Sequence, residues 1–205
     1  MNNISGQVHS ILNGSCADGP GLRSVIFLSG CNLACNFCHN IDVVKLPGKK
    51  MSVNAVLEKI KRVLPYIKKG GVTISGGEPF FQAEFCLALI MAIKKSGLHV
   101  AVETNGTIID KEIIAAADLL IIDIKNQFLK LESYREIFDC LKSVNKKINV
   151  TNVLINGVND GEKHKKDLQN FLKDYKDIIL SFKYLPFVRT EAEAKWKMLG
   201  LPFKI

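Results

Sequence analysis

The chain has 205 residues, of which 47% are hydrophobic and 23% are charged, a composition typical of a globular protein with a sizeable core. Its length fits one domain, residues 1–205, and it contains no linker, internal repeat or low-complexity segment. The net charge of +8 comes mainly from scattered lysines, without the concentrated basic run of a nucleic-acid-binding arm. No apolar run approaches the roughly 18 residues of a membrane span, and the start does not resemble a signal peptide. We therefore expect a cytoplasmic protein that binds neither nucleic acid nor membrane.

Strand-like segments alternate with helical patterns along most of the chain. After a short outer strand in GQVHSILNG, the predicted strands are RSVIFLSG, GVTIS, HVAVET, LLIIDIK, INVTNVLI and IILSFKYLP. Amphipathic helices separate them; Ser52 is a predicted N-cap for the helix in SVNAVLEKIKRVLPYIKK, and Gly97 is predicted to end the next helix. The strands are almost continuously apolar, which indicates parallel strands buried on both faces.

Polar and glycine motifs follow the ends of these strands. They are a cysteine cluster after the first strand and then GGEP, ETNG, DIK, NG and LPF. In a barrel the carboxyl ends of all strands converge on one mouth, whereas a doubly wound sheet gathers such residues at a single switch point. We therefore predict an α/β fold, a single-domain incomplete (β/α)6 TIM-like barrel of parallel strands.

Three cysteines, Cys31, Cys35 and Cys38, lie within eight residues in GCNLACNFCHN. A tetrahedral zinc site needs a fourth ligand, and His39 adjoins Cys38 more closely than zinc ligand spacings usually allow. The CNFCH run matches the c-type haem motif, but haem attachment normally follows export. The spacing favours an iron–sulfur cluster of four irons held by three thiolates, with one iron open to a small chelating ligand.

The pattern C-x3-C-x-aromatic-C, with Phe37 as the aromatic residue, resembles the signature of the radical S-adenosylmethionine superfamily. The resemblance implies a 4Fe-4S cluster on Cys31, Cys35 and Cys38, whose open iron is chelated by the amino and carboxylate groups of S-adenosyl-L-methionine. It also implies an anaerobic reaction in which one electron cleaves the sulfonium to methionine and a 5′-deoxyadenosyl radical, which abstracts hydrogen from a substrate. An external donor such as flavodoxin or ferredoxin would supply the electron.

Two further motifs extend this resemblance to the cosubstrate. SGGEP matches the family's motif for the methionyl ammonium, in which Gly76 and Gly77 allow close approach of the backbone and Glu78 supplies negative charge. The matching acidic and lysine positions in DIK contact S-adenosylmethionine, and a lysine is a suitable partner for its carboxylate. The residues of that motif are Asp123, Ile124 and Lys125.

The resemblance assigns two other groups of contacts. Phe37, Cys38 and His39 are expected to border the adenine by stacking and through their backbone. Glu103, Thr104 and Asp123 fall where some relatives hold a monovalent cation.

The stretch CADGPGLRSVIF resembles the glycyl-radical-enzyme activases within the superfamily, and GGVTISGGEPFFQAEF, TNG, LLIIDIK and KYLPF extend the match along the chain. The resemblance implies that Asp18 lies near the bound glycyl loop of a partner glycyl radical enzyme, from which the Cα hydrogen of one glycine is removed. Asp18 and Lys125 are thus the expected catalytic residues, and we expect a monomer. Two positions depart from the activase pattern, Thr151 in place of arginine and Val188 in place of histidine.

Two other functions stay open at the level of sequence. A radical enzyme acting on a small molecule, such as 7-carboxy-7-deazaguanine synthase, shares short GGEP and ETNG-like motifs, although CHN, DGPGLR and DIK favour the activase. A zinc- or cluster-bearing nucleic-acid-binding module would place basic and aromatic residues together on one face, a pattern that we do not find.

Overall fold

The strands form one sheet in the computed structural model, which describes residues 4–127 and 129–203. Across these residues the sheet has eight strands in the order β3-β1-β2-β4-β5-β6-β7-β8. The strands are β1 (Ser5–Ser15), β2 (Arg23–Leu28), β3 (Lys49–Ser52), β4 (Gly71–Gly76), β5 (Val100–Thr104), β6 (Leu119–Asp123), β7 (Ile148–Leu154) and β8 (Ile179–Pro186). The six strands predicted to be parallel are β2 and β4 to β8, and each pairs in parallel with its neighbour. The predicted incomplete barrel of six parallel strands is therefore confirmed.

Two antiparallel strands extend the sheet beyond β2. The outer strand predicted in GQVHSILNG is β1, which pairs with β2 on one side and with β3 on the other. Strand β3 was not predicted, because KKMS is short and rich in lysine, a residue depleted in strands.

Helices lie between successive parallel strands, and the last helix follows β8. They are α1 (Ile41–Lys45), α2 (Val53–Lys61), α3 (Leu64–Ile67), α4 (Ala83–Lys95), α5 (Lys111–Ala116), α6 (Arg135–Ser143), α7 (Glu162–Lys173) and α8 (Arg189–Met198), with 3-10 turns at Pro79–Gln82 and Leu131–Tyr134. No helix in the described part of the chain is long and apolar enough to cross a membrane.

Most of the predicted helix signals are confirmed, with one correction. The Ser52 hydroxyl accepts the Ala55 N–H at the start of α2, and Gly97 adopts φ +75° just beyond α4. The single helix predicted from SVNAVLEKIKRVLPYIKK is wrong, because the segment divides into α2 and α3. Pro65, in the first turn of α3, has no N–H to continue a helix from α2.

Alternating residues of the parallel strands face two different environments. One set, including Ile26, Ile74, Val102 and Ile122, packs against the helices in the main hydrophobic core. The alternate positions lie on the inner face of the barrel, and towards the carboxyl ends of the strands they become polar, as at Ser75, Glu103, Asp123 and Thr151. The fold therefore directs polar side chains to one mouth.

Arg23 anchors the DGPGLR loop against the inner face of β4. The fully buried guanidinium donates to the Thr73 hydroxyl (2.8 Å) and to the carbonyl oxygen of Val72 (2.8 Å). Burial lowers the pKa of Arg23 to about 10, against the opposing charges of Asp118 and Asp18. The Thr73 hydroxyl in turn donates to the Asp18 carbonyl oxygen (2.6 Å), so the loop that carries Asp18 is held in place.

Candidate active site

A cavity of about 330 Å³ lies at the carboxyl ends of the parallel strands. It collects residues from the cysteine loop and from the ends of β4, β5 and β6, which are far apart in sequence. The predicted site residues that line it are Cys31, Cys35, Phe37, Cys38, His39, Gly76, Gly77, Glu103, Thr104, Asp123 and Lys125. Three predicted residues, Asp18, Glu78 and Ile124, do not line this cavity.

The three cysteines lie on one loop after β2, where Cys35 is buried and Cys31 and Cys38 are half-buried. The N–H of Leu33 (3.4 Å) and the side-chain amide of Asn105 (3.7 Å) are both directed at the Cys31 sulfur. Burial raises the pKa of all three thiols, that of Cys35 to about 11, and the nearby charge of Lys125 opposes the rise. No three His, Cys, Asp or Glu side chains among residues 4–127 and 129–203 converge on a point that would hold a single metal ion.

The GGEP segment packs directly against the cysteine loop. The N–H of Gly77 donates to the Leu28 carbonyl oxygen (2.9 Å), and the N–H of Glu78 donates to the Gly30 carbonyl oxygen (2.8 Å). A Cβ atom added at Gly77 would lie 1.8 Å from the same Gly30 oxygen, which only glycine avoids. The cysteine loop and the GGEP turn can therefore pack this closely only because position 77 is glycine.

Glu78 lies behind the cavity wall, where it joins three segments. Its carboxylate accepts the N–H of Phe80 (3.0 Å), the N–H of Asn105 (2.8 Å) and the hydroxyl of Thr104 (2.8 Å). Full burial raises the pKa of this carboxyl, although the three hydrogen bonds act in the opposite direction. Glu78 therefore lies beneath the cavity, and its hydrogen bonds connect the GGEP turn to the end of β5.

Asp123 and Lys125 form an ion pair on the cavity wall. Burial acts to lower the pKa of Lys125, but the charge and hydrogen bond of Asp123 outweigh it, so the pKa lies above its ordinary value. The ammonium also lies 5.8 Å from the centre of the Phe37 ring. In the described structure, Asp123 Oδ1 is buried without a hydrogen-bond partner, and so is the hydroxyl of Thr151, the residue paired with Asp123 across β6 and β7.

Glu103 places a second carboxyl in the cavity, next to Asp123. Its Oε2 accepts the Ser75 hydroxyl (2.7 Å), and burial raises its pKa to about 7, with Asp123 and Asp18 adding to the rise. The neighbouring Thr104 uses its hydroxyl to donate to Glu78. The three residues predicted to hold a monovalent cation thus line the same cavity, with Asp123 Oδ2 engaged by Lys125 and the threonine hydroxyl engaged by Glu78.

The three remaining predicted residues differ in their surroundings. Ile124 belongs to the helix-facing core and is tied through its backbone, its N–H donating to the Thr151 carbonyl oxygen (2.9 Å). His39 Nε2 lies 3.2 Å from both the N–H and the carbonyl oxygen of Val188, and burial lowers its pKa. Asp18 accepts the hydroxyl of Ser15 outside the cavity, near enough to Glu103 for its charge to act on that carboxyl.

Sequence reasoning missed several residues of this cavity. They include Ser75, Asn105, Val153, Trp196 and Leu201. Asn105 was visible within the TNG motif, but Trp196 lies in the lysine-rich segment EAKWK, which matches no motif used above. Its one available signal was that it is the single tryptophan of the chain.

Comparison with known proteins shows what the chain as a whole is similar to. Residues 17–180 match the family model described as a 4Fe-4S single cluster domain. The pyruvate formate-lyase-activating enzyme of Clostridium pasteurianum is 32% identical over 98% of this chain and 90% of its own length.

Solved structures support the same fold. QueE from Escherichia coli superposes with a TM-score of 0.54 at 13% identity, covering 89% of this chain and 95% of its own. Streptococcus suis SuiB bound to S-adenosylmethionine gives a TM-score of 0.58 at 20% identity, covering 77% of this chain and 38% of SuiB.

Proposed function

The chain belongs to the radical S-adenosylmethionine superfamily and, within it, to the pyruvate formate-lyase-activating enzymes, and from this premise we propose how its own residues carry out the reaction. It is an iron–sulfur enzyme that activates a glycyl radical enzyme. When bound, the cluster supplies one electron to S-adenosylmethionine, whose cleavage yields methionine and the radical that removes a glycine Cα hydrogen from the partner.

Cys31, Cys35 and Cys38 are the proposed cluster ligands. The observation that carries the proposal is that these three thiols share one cavity with the GGEP glycines and the Asp123–Lys125 pair. Thiolate is the ligand that iron–sulfur clusters use, and a three-cysteine set leaves one iron free for a cosubstrate. Hydrogen bonds from Leu33 and Asn105 to the Cys31 sulfur are of the kind that tunes a cluster's potential.

The remaining cavity residues are proposed to hold S-adenosylmethionine. Lys125 is cationic and buried, which suits a carboxylate partner, and Asp123 fixes its position. Gly76 and Gly77 lie in the wall that would face the methionyl ammonium. The unpartnered oxygens of Asp123 and Thr151 support a polar ligand here, because buried polar groups are rarely left without hydrogen bonds. Glu103 with Asp123 is the proposed pair for a monovalent cation.

The partner of this enzyme is a glycyl radical enzyme, and we propose that it is of the pyruvate formate-lyase type. Asp18 is the proposed contact to its glycyl loop; the support is that Arg23 and Thr73 hold the Asp18 loop against the inner face of the barrel. We also propose a monomer that acts in the cytoplasm and receives its electron from a carrier such as flavodoxin or ferredoxin.

The test is anaerobic reconstitution followed by incubation with S-adenosylmethionine, a photoreduced donor and pyruvate formate-lyase from the same organism. The wild type should hold about four irons per chain and produce the electron paramagnetic resonance doublet of a glycyl radical. Cys35→Ala should lose iron and the doublet, because two thiolates remain. Cys140→Ala, which alters a half-buried cysteine of α6, is the matched control and should retain both.

Two results would contradict the proposal. Binding of zinc instead of iron would remove the radical chemistry altogether. Cleavage of S-adenosylmethionine without a glycyl radical in any candidate partner would point to a small-molecule substrate.

A further inference from the structure

Helix α8 and the residues after it dock on the cysteine loop. The indole N–H of Trp196 donates to the Cys38 carbonyl oxygen (3.0 Å), across 158 positions of the chain. The neighbouring Lys195 ammonium lies 3.3 Å from Asp42 and 3.4 Å from the side-chain oxygen of Asn40. One face of α8 is therefore attached to residues that directly follow a proposed cluster ligand.

Trp196 and Leu201 also form part of the wall of the active-site cavity, together with Phe37 and His39. Gly200, at φ +66°, ends the helix, and the Leu201 N–H donates back to the Trp196 carbonyl oxygen (3.0 Å). The Trp196 ring is braced by Phe203, with ring centres 5.8 Å apart in an edge-to-face arrangement. The indole is thus held in position both by its hydrogen bond and by packing.

The walls of the cavity differ in chemistry. The strand ends supply charged groups, Glu103, Asp123 and Lys125. The cysteine loop supplies Phe37 and His39, α8 supplies Trp196, and the segment after α8 supplies Leu201. S-adenosylmethionine has a charged amino-acid end and a flat purine, and aromatic side chains are favourable stacking partners for a purine. The charged wall suits the amino-acid end of S-adenosylmethionine, and the aromatic wall suits its purine.

We propose that Trp196, supported by Leu201, forms part of the nucleobase subsite, so that α8 completes the S-adenosylmethionine site. The inference rests on the proposed function, since it requires that S-adenosylmethionine occupies this cavity. Trp196 then acts as a ligand-contacting residue on the nucleobase, and its hydrogen bond to Cys38 aligns that contact with the cluster loop.

The test measures binding of radiolabelled S-adenosylmethionine to the anaerobically reconstituted enzyme by equilibrium dialysis without reductant, so that no turnover occurs. Trp196→Ala should bind about tenfold more weakly, the change expected for one base–aromatic contact. Trp196→Phe keeps an aromatic ring and should stay within about threefold of the wild type. Met198→Ala, on an exposed residue of the same helix, should have no effect.

Three further measurements separate the nucleobase contact from a structural role. The iron content of Trp196→Ala should equal that of the wild type. Competition by S-methylmethionine, a sulfonium amino acid without a nucleoside, should also be unchanged. Because Trp196 is the single tryptophan, adding S-adenosylmethionine should change the wild-type fluorescence emission.

Several outcomes would overturn the inference. They are an unchanged affinity of Trp196→Ala, a loss of iron in that variant, or an equal loss of affinity for S-methylmethionine. If the wild type itself binds no S-adenosylmethionine, the proposed function fails as well, so the two failures are distinguishable.

Discussion

Two glutamates of the site, Glu78 buried and Glu103 half-buried, show how local hydrogen bonding separates their roles. Glu78 accepts three hydrogen bonds from Phe80, Thr104 and Asn105 and is a structural connector. Glu103 accepts one, from Ser75, and shares its surroundings with Asp123 and Asp18. Desolvation, with the charges of Asp123 and Asp18, raises the pKa of Glu103 to about 7, so the carboxyl stays largely neutral under mildly acidic conditions in the metal-free chain.

Glu103 should make stability depend on pH. Its pKa is about 7 in the folded chain and 4.5 when unperturbed, so the unfolded state loses this proton first. Stability should consequently fall as pH rises from about 4.5 to about 7, by up to about 3 kcal/mol from this group. Urea unfolding of the metal-free wild type and of Glu103→Gln across this range measures the difference. An identical pH dependence in the two proteins would contradict the prediction.

At the scale of elements, the 3-10 turn Pro79–Gln82 connects the active-site loop to β1 and to the end of β2. The Gln82 side-chain amide donates to the carbonyl oxygens of Gln7 (3.0 Å) and Ser29 (2.9 Å). Its side-chain oxygen accepts the Gln7 N–H (2.8 Å). These contacts lie beside the register shift between β1 and β2, where the ladder of backbone hydrogen bonds is interrupted.

Removing this connection should destabilise the fold. Gln82→Ala loses three hydrogen bonds, and we expect the free energy of unfolding to fall by about 1–3 kcal/mol. Chemical denaturation of the variant and the wild type measures the change. Asn170→Ala, on an exposed face of α7, is the control and should stay within about 0.5 kcal/mol of the wild type. A Gln82 variant as stable as this control would refute the connecting role.

At the scale of the whole molecule, the net charge of +8 comes mainly from lysines scattered along the chain. A dispersed positive field accelerates encounters with negatively charged partners, and salt screens it. This charge therefore bears on the encounter with the proposed electron carrier more than on the chemistry inside the cavity.

Reduction by an acidic electron-carrier protein should slow as salt increases. We expect the cluster reduction rate with flavodoxin to fall several-fold between about 0.05 M and 0.5 M salt. Photoreduced deazaflavin, a small reductant, is the control and should show little change. The measurement is stopped-flow absorbance of the cluster, and equal salt dependence for both donors would argue against electrostatic steering.

The sequence by itself determined the elements whose causes are local. The ligand spacing of the three cysteines and the turn of the GGEP glycines depend only on neighbouring residues. The buried strands are visible because their apolar residues follow one another without a break. The barrel followed from those signals, because parallel strands carry their carboxyl ends to one side.

The tertiary structure alone decided how distant segments meet. The partners of Glu78 on β5, the strand β3 at the sheet edge and the attachment of Trp196 to Cys38 across 158 positions all depend on packing between remote segments. Such contacts have no fixed spacing in sequence, because chain topology and side-chain packing place them. The wall formed by α8 therefore became visible only when the barrel brought the end of the chain back to its cysteine loop.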